Sequence, residues 1–294
     1  MKSPRSTETG VGAAIGSATA TLRDAGSPTP RLDAEVLLAH VTGRDRAWLL
    51  AHPDAELADV DAFDAAIDRR AAGEPVAYIR GFNDWRSLRI KTDARALIPR
   101  PETELVVEAA AAEIRARGER AVVWDVATGS GAIAVALALD FRGGLAGGAL
   151  RLIASDVSPA ALALAAENLE AHAVAETVEL VEADLLDPAG QRLPRPEIVT
   201  ANLPYVSRAE VDERHGSLGC EPRIALDGVP DGLVLLRRFL ADAPERAAPG
   251  ATLLLELGVD QVEAVRGIAP AGASVTVVRD LAGLDRVVRI DLPS

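Results

Sequence analysis

Residues 122–131 read V-V-W-D-V-A-T-G-S-G, and A-I-A-V-A-L-A-L follows at 132–139. The first stretch opens as an apolar strand, ends on an acid, Asp125, and turns on Gly129 and Gly131. The second reads as a helix. A glycine turn between a strand and a helix lets the backbone approach a ligand closely. The turn lacks the Gly-Lys-[Ser/Thr] of a phosphate-cradling loop. G-x-G-x-x-G does not fit it either, so it is no standard dinucleotide fingerprint.

The alternation continues outward from this unit. Strands are expected at 150–154, 178–181, 198–201, 252–257, 274–279 and 287–291, with helices at 159–171 and 232–243. Strands alternating with helices imply an α/β fold, a mostly parallel sheet covered on both faces. The first third differs. Helical spacing runs over 11–25, 31–42, 46–52 and 59–72, with stops at Gly26, Gly43 and Gly73. Residues 1–10 read as a flexible N-terminus, 11–73 as a helical unit, and 74–98 as a linker with a hairpin. Within that linker 78–82 and 85–90 are expected as short extended pieces. In L-I-P-R-P-E-T-E (97–104), Pro101 suits the first residue of a helix, and Glu102 and Glu104 suit its dipole; capping explains the stretch, and as a second use this entry loop could line the cleft.

Composition bounds the function. The chain has 294 residues and a formal net charge of −13, the wrong sign for a surface that holds nucleic-acid phosphates. Cys220 is the only cysteine, which excludes an intramolecular disulfide and fits a reducing, cytoplasmic setting. The four histidines lie far apart without ligand spacing, so no metal is expected. No apolar run reaches the ~18 residues of a membrane span.

Four strand ends carry the chemistry. In an open α/β sheet, ligands bind beyond the carboxyl ends of the strands. The first strand delivers the Gly turn, and the second ends in Asp156, placed to accept hydrogen bonds from ribose hydroxyls. The third is followed by Asp184 and Leu185, an acid and an apolar neighbour suited to an adenine. The fourth runs into T-A-N-L-P-Y-V-S (200–207), where Asn202 offers an amide, Pro204 stiffness and Tyr205 a flat wall. Each piece has a plain structural use: acids start helices and turns, and Asn-x-Pro is a common turn. Together they describe a nucleoside-type cofactor beside a reactive amide, without a nucleophile or base triad.

The chain resembles the HemK/PrmC family of protein-(glutamine-N5) methyltransferases. The resemblance rests on R-L-D-A-E-V-L-L (31–38), G-E-P-V-A-Y-I-R-G (73–81), I-P-R-P-E-T-E (98–104), A-T-G-S-G (127–131), N-L-P-Y (202–205), L-E-L-G-V-D-Q (255–261) and D-L-A-G-L-D-R (280–286). It implies a Rossmann-like S-adenosylmethionine-dependent methyltransferase domain over 99–294, with a small N-terminal helical domain, 11–73, that docks the substrate. The implied substrate is the glutamine of a Gly-Gly-Gln segment in a class-1 peptide release factor. Ala127, Thr128, Gly129, Ser130 and Gly131 would hold the methionine part of the cofactor, Asp156 the ribose, and Asp184 and Leu185 the adenine. Asn202, Leu203, Pro204 and Tyr205 would bind the glutamine and carry the reaction, with Asn202 also touching the cofactor. A cytoplasmic monomer without metal, membrane or direct nucleic-acid contact is implied. Alternatives are a glutamine methyltransferase of a ribosomal protein, an amino methyltransferase on nucleic acid, and a protein that binds the cofactor without turnover. Two positions depart from the family pattern. Ala127 stands where Gly is usual, cheap at negative φ and strained at positive φ. Leu203 replaces the first Pro of Asn-Pro-Pro-Tyr, which keeps the carbonyl and loses the φ lock; a looser loop is expected.

Overall fold

The computed structural model describes residues 10–204, 219–225, 231–258 and 260–294. Residues 1–9 of the expected flexible N-terminus and Tyr205 lie outside this set. The described residues form two compact units: 10–82 with 219–220, and 83–204 with 221–225, 231–258 and 260–294.

The first unit is helical: α1 (Val11–Asp24), α2 (Pro30–Thr42), α3 (Arg46–Ala51), α4 (Val60–Ala71) and α5 (Val76–Arg80). Pro30 is the first residue of α2, and Gly43 ends that helix in the left-handed conformation at φ 64°. The side chains of Asp45 and Asp59 cap α3 and α4. Leu22, Leu37, Leu38, Leu49 and Phe63 are buried together in the core of this unit. Each such burial contributes about 1.5–3 kcal/mol. Asp33 accepts hydrogen bonds from Ser27, Thr29 and the part-buried Arg70 guanidinium, which ties the start of α2 to α4.

α5 corrects the sequence expectation of an extended piece at 78–82. Val, Tyr and Ile suit a strand, but Gly81 at φ 76° caps a helical turn, and Tyr78 and Ile79 are buried by it. Burial on one face overrides the local preference. The hairpin follows as β1 (Phe82–Trp85) and β2 (Leu88–Lys91), joined through Arg86 and Ser87, both at positive φ. That is the backbone of a two-residue hairpin turn, here without glycine.

The second unit contains a seven-stranded sheet of β3 (Ala121–Val126), β4 (Leu150–Asp156), β5 (Val178–Glu182), β6 (Ile198–Ala201), β7 (Thr252–Glu256), β8 (Ser274–Arg279) and β9 (Asp285–Asp291). Its order is β5-β4-β3-β6-β7-β9-β8. All pairs are parallel except those made by β9. The helices of this unit are α6 (Glu104–Ala116), α7 (Ala132–Asp140), α8 (Arg142–Ala146), α9 (Pro159–Ala171), α10 (Val234–Arg246) and α11 (Val262–Ile268). Two core clusters line the sheet, one with α6 and α7, the other with α10 and α11. α10 runs past Ala243, where Pro244 made a stop the natural expectation; in the last turn a proline forgoes only one hydrogen bond.

The chain leaves β3 for β4 and β5 on one side, then crosses to β6 on the other. The carboxyl ends of β3 and β6 therefore flank the point where strand order reverses, and a crevice opens there.

Candidate active site

Three positive φ angles shape the turn after β3: Ala127 at 55°, Gly129 at 56° and Gly131 at 78°. The Thr128 N–H donates to the Ser155 carbonyl on β4 at 2.9 Å. The buried amide of Asn168 on α9 donates to the Ser130 carbonyl at 2.8 Å and bonds both backbone groups of Lys91 on β2. A Cβ at Gly131 would lie 3.0 Å from the Ala165 side chain. Gly131 therefore lets α7 approach α9.

Ala127 takes the strained alternative posed by its sequence. The left-handed conformation costs a non-glycine residue roughly 1–2 kcal/mol. Part of that gain returns in chain entropy on changing to glycine. Ala127→Gly is expected to raise the unfolding free energy by up to about 1 kcal/mol, read by urea denaturation. A loss of stability would show that the turn holds alanine without strain.

Asp125, the next-to-last residue of β3, is fully buried beneath the turn. It accepts from Thr128 Oγ1 at 2.5 Å and from Thr200 Oγ1 at 2.9 Å. Burial pushes its carboxyl up to about 7 against those two hydroxyl donors, and nearby Asp156 adds to the rise. A raised folded-state value means that the folded protein binds the extra proton between about pH 4 and pH 7. The Asp125 contribution to stability therefore falls as pH rises through that window. The stability of the parent relative to Asp125→Asn is expected to drop by up to about 4 kcal/mol from pH 4 to pH 7.5. Urea unfolding across that range checks it, and a flat difference would overturn it.

Asp156, at the end of β4, spends each oxygen on one backbone N–H. Oδ2 accepts from Gly129 and Oδ1 from Ser158, both at 2.9 Å. Each oxygen keeps a lone pair for a further donor. Burial raises its pKa against these backbone donors. Beyond β5, Asp184 is exposed and its carboxylate pairs with Arg238 at 2.7 Å, while Leu185 is buried at φ 57°. Asn202 follows β6. Its Nδ2 donates to Thr103 Oγ1 at 3.3 Å, and among the described residues its Oδ1 accepts no hydrogen bond.

One cavity of about 380 Å³ gathers these residues. Ala127, Thr128, Gly129, Ser130, Asp156, Asp184, Leu185, Asn202, Leu203 and Pro204 line it, and Gly131 does not. The Leu203 side chain is 2% exposed and packs into the core with Val126, Leu236 and Phe239. Leu203 is therefore held by burial at the position where the family pattern uses proline's fixed φ.

The expectation that 97–104 could line the cleft holds for Leu97–Arg100 and Thr103, whereas the sequence does not single out Glu256 behind Thr103. Thr103 lies in a short 3-10 turn, Pro101–Thr103, and donates to Glu256 Oε2 at the end of β7 at 2.6 Å. An acid ending the apolar strand T-L-L-L-E was the one visible signal. Arg100, beside Thr103, pairs with the buried Glu221, which also accepts from the Ile98 N–H at 3.1 Å. Among the described residues no group of three or more His, Cys, Asp or Glu could hold a metal, and no helix is long and apolar enough to cross a membrane.

A mostly parallel sheet with one reversed strand, and a glycine turn, an acid and an amide at its switch point, define a Rossmann-like methyltransferase domain. The solved structure of a methyltransferase from Pyrococcus furiosus shares this fold at a TM-score of 0.50 and 15% identity, over 79% of this chain and 98% of that one. Residues 13–81 match the PrmC N-terminal domain. The chain is 41% identical to a release factor glutamine methyltransferase of Moorella thermoacetica, over 93% of this chain and 95% of that protein. It is 39% identical to the protein of that name from Neisseria gonorrhoeae, over 89% of this chain and 93% of its relative. The chain belongs to the HemK/PrmC family of release factor glutamine methyltransferases.

Proposed function

We propose that this enzyme transfers a methyl group from S-adenosylmethionine to the side-chain amide nitrogen of the glutamine in the Gly-Gly-Gln segment of a class-1 peptide release factor. The observation that carries this reading is the meeting of the glycine turn, Asp156 and Asn202 on one cavity at the switch point of the sheet.

The residues present suit the cofactor. A volume of about 380 Å³ falls in the range of small-molecule sites. The spare lone pairs of Asp156 suit ribose hydroxyls, and Asp184 and Leu185 suit an adenine edge and face. Ala127–Ser130 would hold the methionine portion, with Gly131 contributing through helix packing. When bound, S-adenosylmethionine supplies a methyl group made electrophilic by its sulfonium.

An amide nitrogen is a poor nucleophile, because its lone pair is delocalised into the carbonyl. The protein's task is to hold that nitrogen in line with the methyl at near-attack distance. Asn202 Oδ1 and the Leu203 carbonyl accept the two N–H groups of the glutamine, and they favour the positive charge that develops on nitrogen. Pro204 stiffens the loop; Tyr205, assigned with it by the resemblance, lies outside the described residues. The surplus proton leaves to solvent after transfer, so no dedicated base is required. The helical unit docks the release factor, and the enzyme works as a cytoplasmic monomer; the lone Cys220 suits that reducing compartment.

The test is to incubate the protein with purified release factor and labelled S-adenosylmethionine and to map the methyl by mass spectrometry. Label on the Gly-Gly-Gln glutamine is expected. Label on another residue, or none, would overturn the reading.

A further inference from the structure

β6 and β7 are parallel neighbours, with Ala201 opposite Leu255. The residues that follow in register are Asn202 and Glu256, side by side at the carboxyl ends of β6 and β7. Between them stands Thr103, brought in from the turn before α6. Its hydroxyl has one hydrogen, and it goes to Glu256 Oε2 at 2.6 Å. The same oxygen then presents only lone pairs to Asn202, so the Asn202 side chain must turn its NH2 toward Thr103, at 3.3 Å. This orders the amide end for end, with Oδ1 left as the group available to a ligand. Thr103 and Glu256 are 5% and 2% exposed, so water does not compete for the bond between them.

We infer that Thr103 and Glu256 are positioning residues for methyl transfer, which fix the orientation of the Asn202 amide so that its oxygen meets the substrate N–H. The inference rests on the proposed glutamine methylation. It also gives I-P-R-P-E-T-E a use beyond starting a helix. Glu102 pairs with Arg286, whereas Thr103 reaches the reacting group through Asn202.

Thr103→Val keeps the branched shape and removes the hydroxyl. It is expected to lower kcat about 10-fold, while the Kd for S-adenosylmethionine moves less than about 2-fold; Thr103→Ser is expected to retain activity. Glu256→Gln follows Thr103→Val in direction, because its amide can also donate toward Thr103. In an Asn202→Ala background, under single-turnover conditions, Thr103→Val is expected to change the rate by less than about 2-fold, since its effect passes through Asn202. NMR supplies a readout free of turnover. The Asn202 side-chain NH2 signals, identified by their loss in Asn202→Ala, are expected to exchange slowly with deuterium in the parent and in Thr103→Ser. That measurement on the parent needs no folded valine variant.

Near-parental kcat in Thr103→Val overturns the inference, as does an equal loss in the Asn202→Ala background or rapid exchange of the parent NH2. In each of these cases glutamine methylation by the parent still stands. A parent that methylates no glutamine removes the underlying reading instead.

Discussion

Asn202→Ala is expected to lower kcat for glutamine methylation by about 10²-fold or more, with the Kd for S-adenosylmethionine within about 3-fold of the parent. The size follows from when the lost bond matters. In the ground state the substrate NH2 is a neutral donor. As the nitrogen gains a bond to carbon it becomes positive, and its hydrogens bond Oδ1 more strongly. An interaction that strengthens toward the transition state appears in kcat. Asn202→Asp sharpens the case. It restores an acceptor toward the substrate, but it also points a carboxylate oxygen at Thr103, whose hydrogen is committed to Glu256. Two carboxylates would then flank one hydroxyl. Asn202→Asp is therefore expected to recover less than about a tenth of parental kcat. Single-turnover rates with labelled cofactor measure both variants. Full activity in Asn202→Asp would mean that only an acceptor is needed and that the NH2 side is idle.

Much of the frame was legible because local and global preferences agree. Ser158 caps α9, Pro159 takes its first position, and the helix spans Pro159–Ala171 as its sequence indicates. Ile198–Ala201 is a short, wholly buried run bounded by turn residues, and β6 has those limits. Agreement fails where one segment satisfies two patterns. V-A-Y-I-R suits a strand by composition and becomes α5 because Tyr78 and Ile79 are covered. α11 has seven residues, too few for a periodic signal to emerge. The acids and amide at the strand ends could be read because a parallel sheet gathers the carboxyl ends of its strands. Thr103 and Glu256 could not be paired, because they lie 153 positions apart and each has a complete local explanation. The φ of Ala127 was also beyond reach: the residue type marks a departure from glycine, whereas the dihedral depends on how Thr128 and Gly129 are held by β4.

Asp156→Ala is expected to produce the opposite kinetic signature, with the Kd for S-adenosylmethionine raised about 10²-fold and kcat at saturating cofactor within about 3-fold of the parent. The carboxylate has two tasks. It accepts the Gly129 N–H and so pins the turn to β4, and it accepts the Ser158 N–H ahead of α9. Its remaining lone pairs are assigned to the ribose. Removing it frees the turn, leaves Gly129 without its acceptor and deletes the ribose contact. Hydrogen bonds to a charged group are worth about 1.5–3 kcal/mol each, so the loss of one or two accounts for the expected change in affinity. Neither task touches the nitrogen that reacts, so a saturated variant still meets Asn202 in its parental orientation. Asp156→Asn separates the tasks incompletely, because its NH2 would face one of two backbone donors and push that segment away. Its affinity is expected between those of the parent and the alanine variant. Equilibrium dialysis gives the affinities, and a thermal melt confirms that each variant is folded. A Kd within about 3-fold of the parent in Asp156→Ala would remove Asp156 from the cofactor site. A collapse of kcat at saturating cofactor would show that the turn orients the reacting methyl as well as binding the nucleoside.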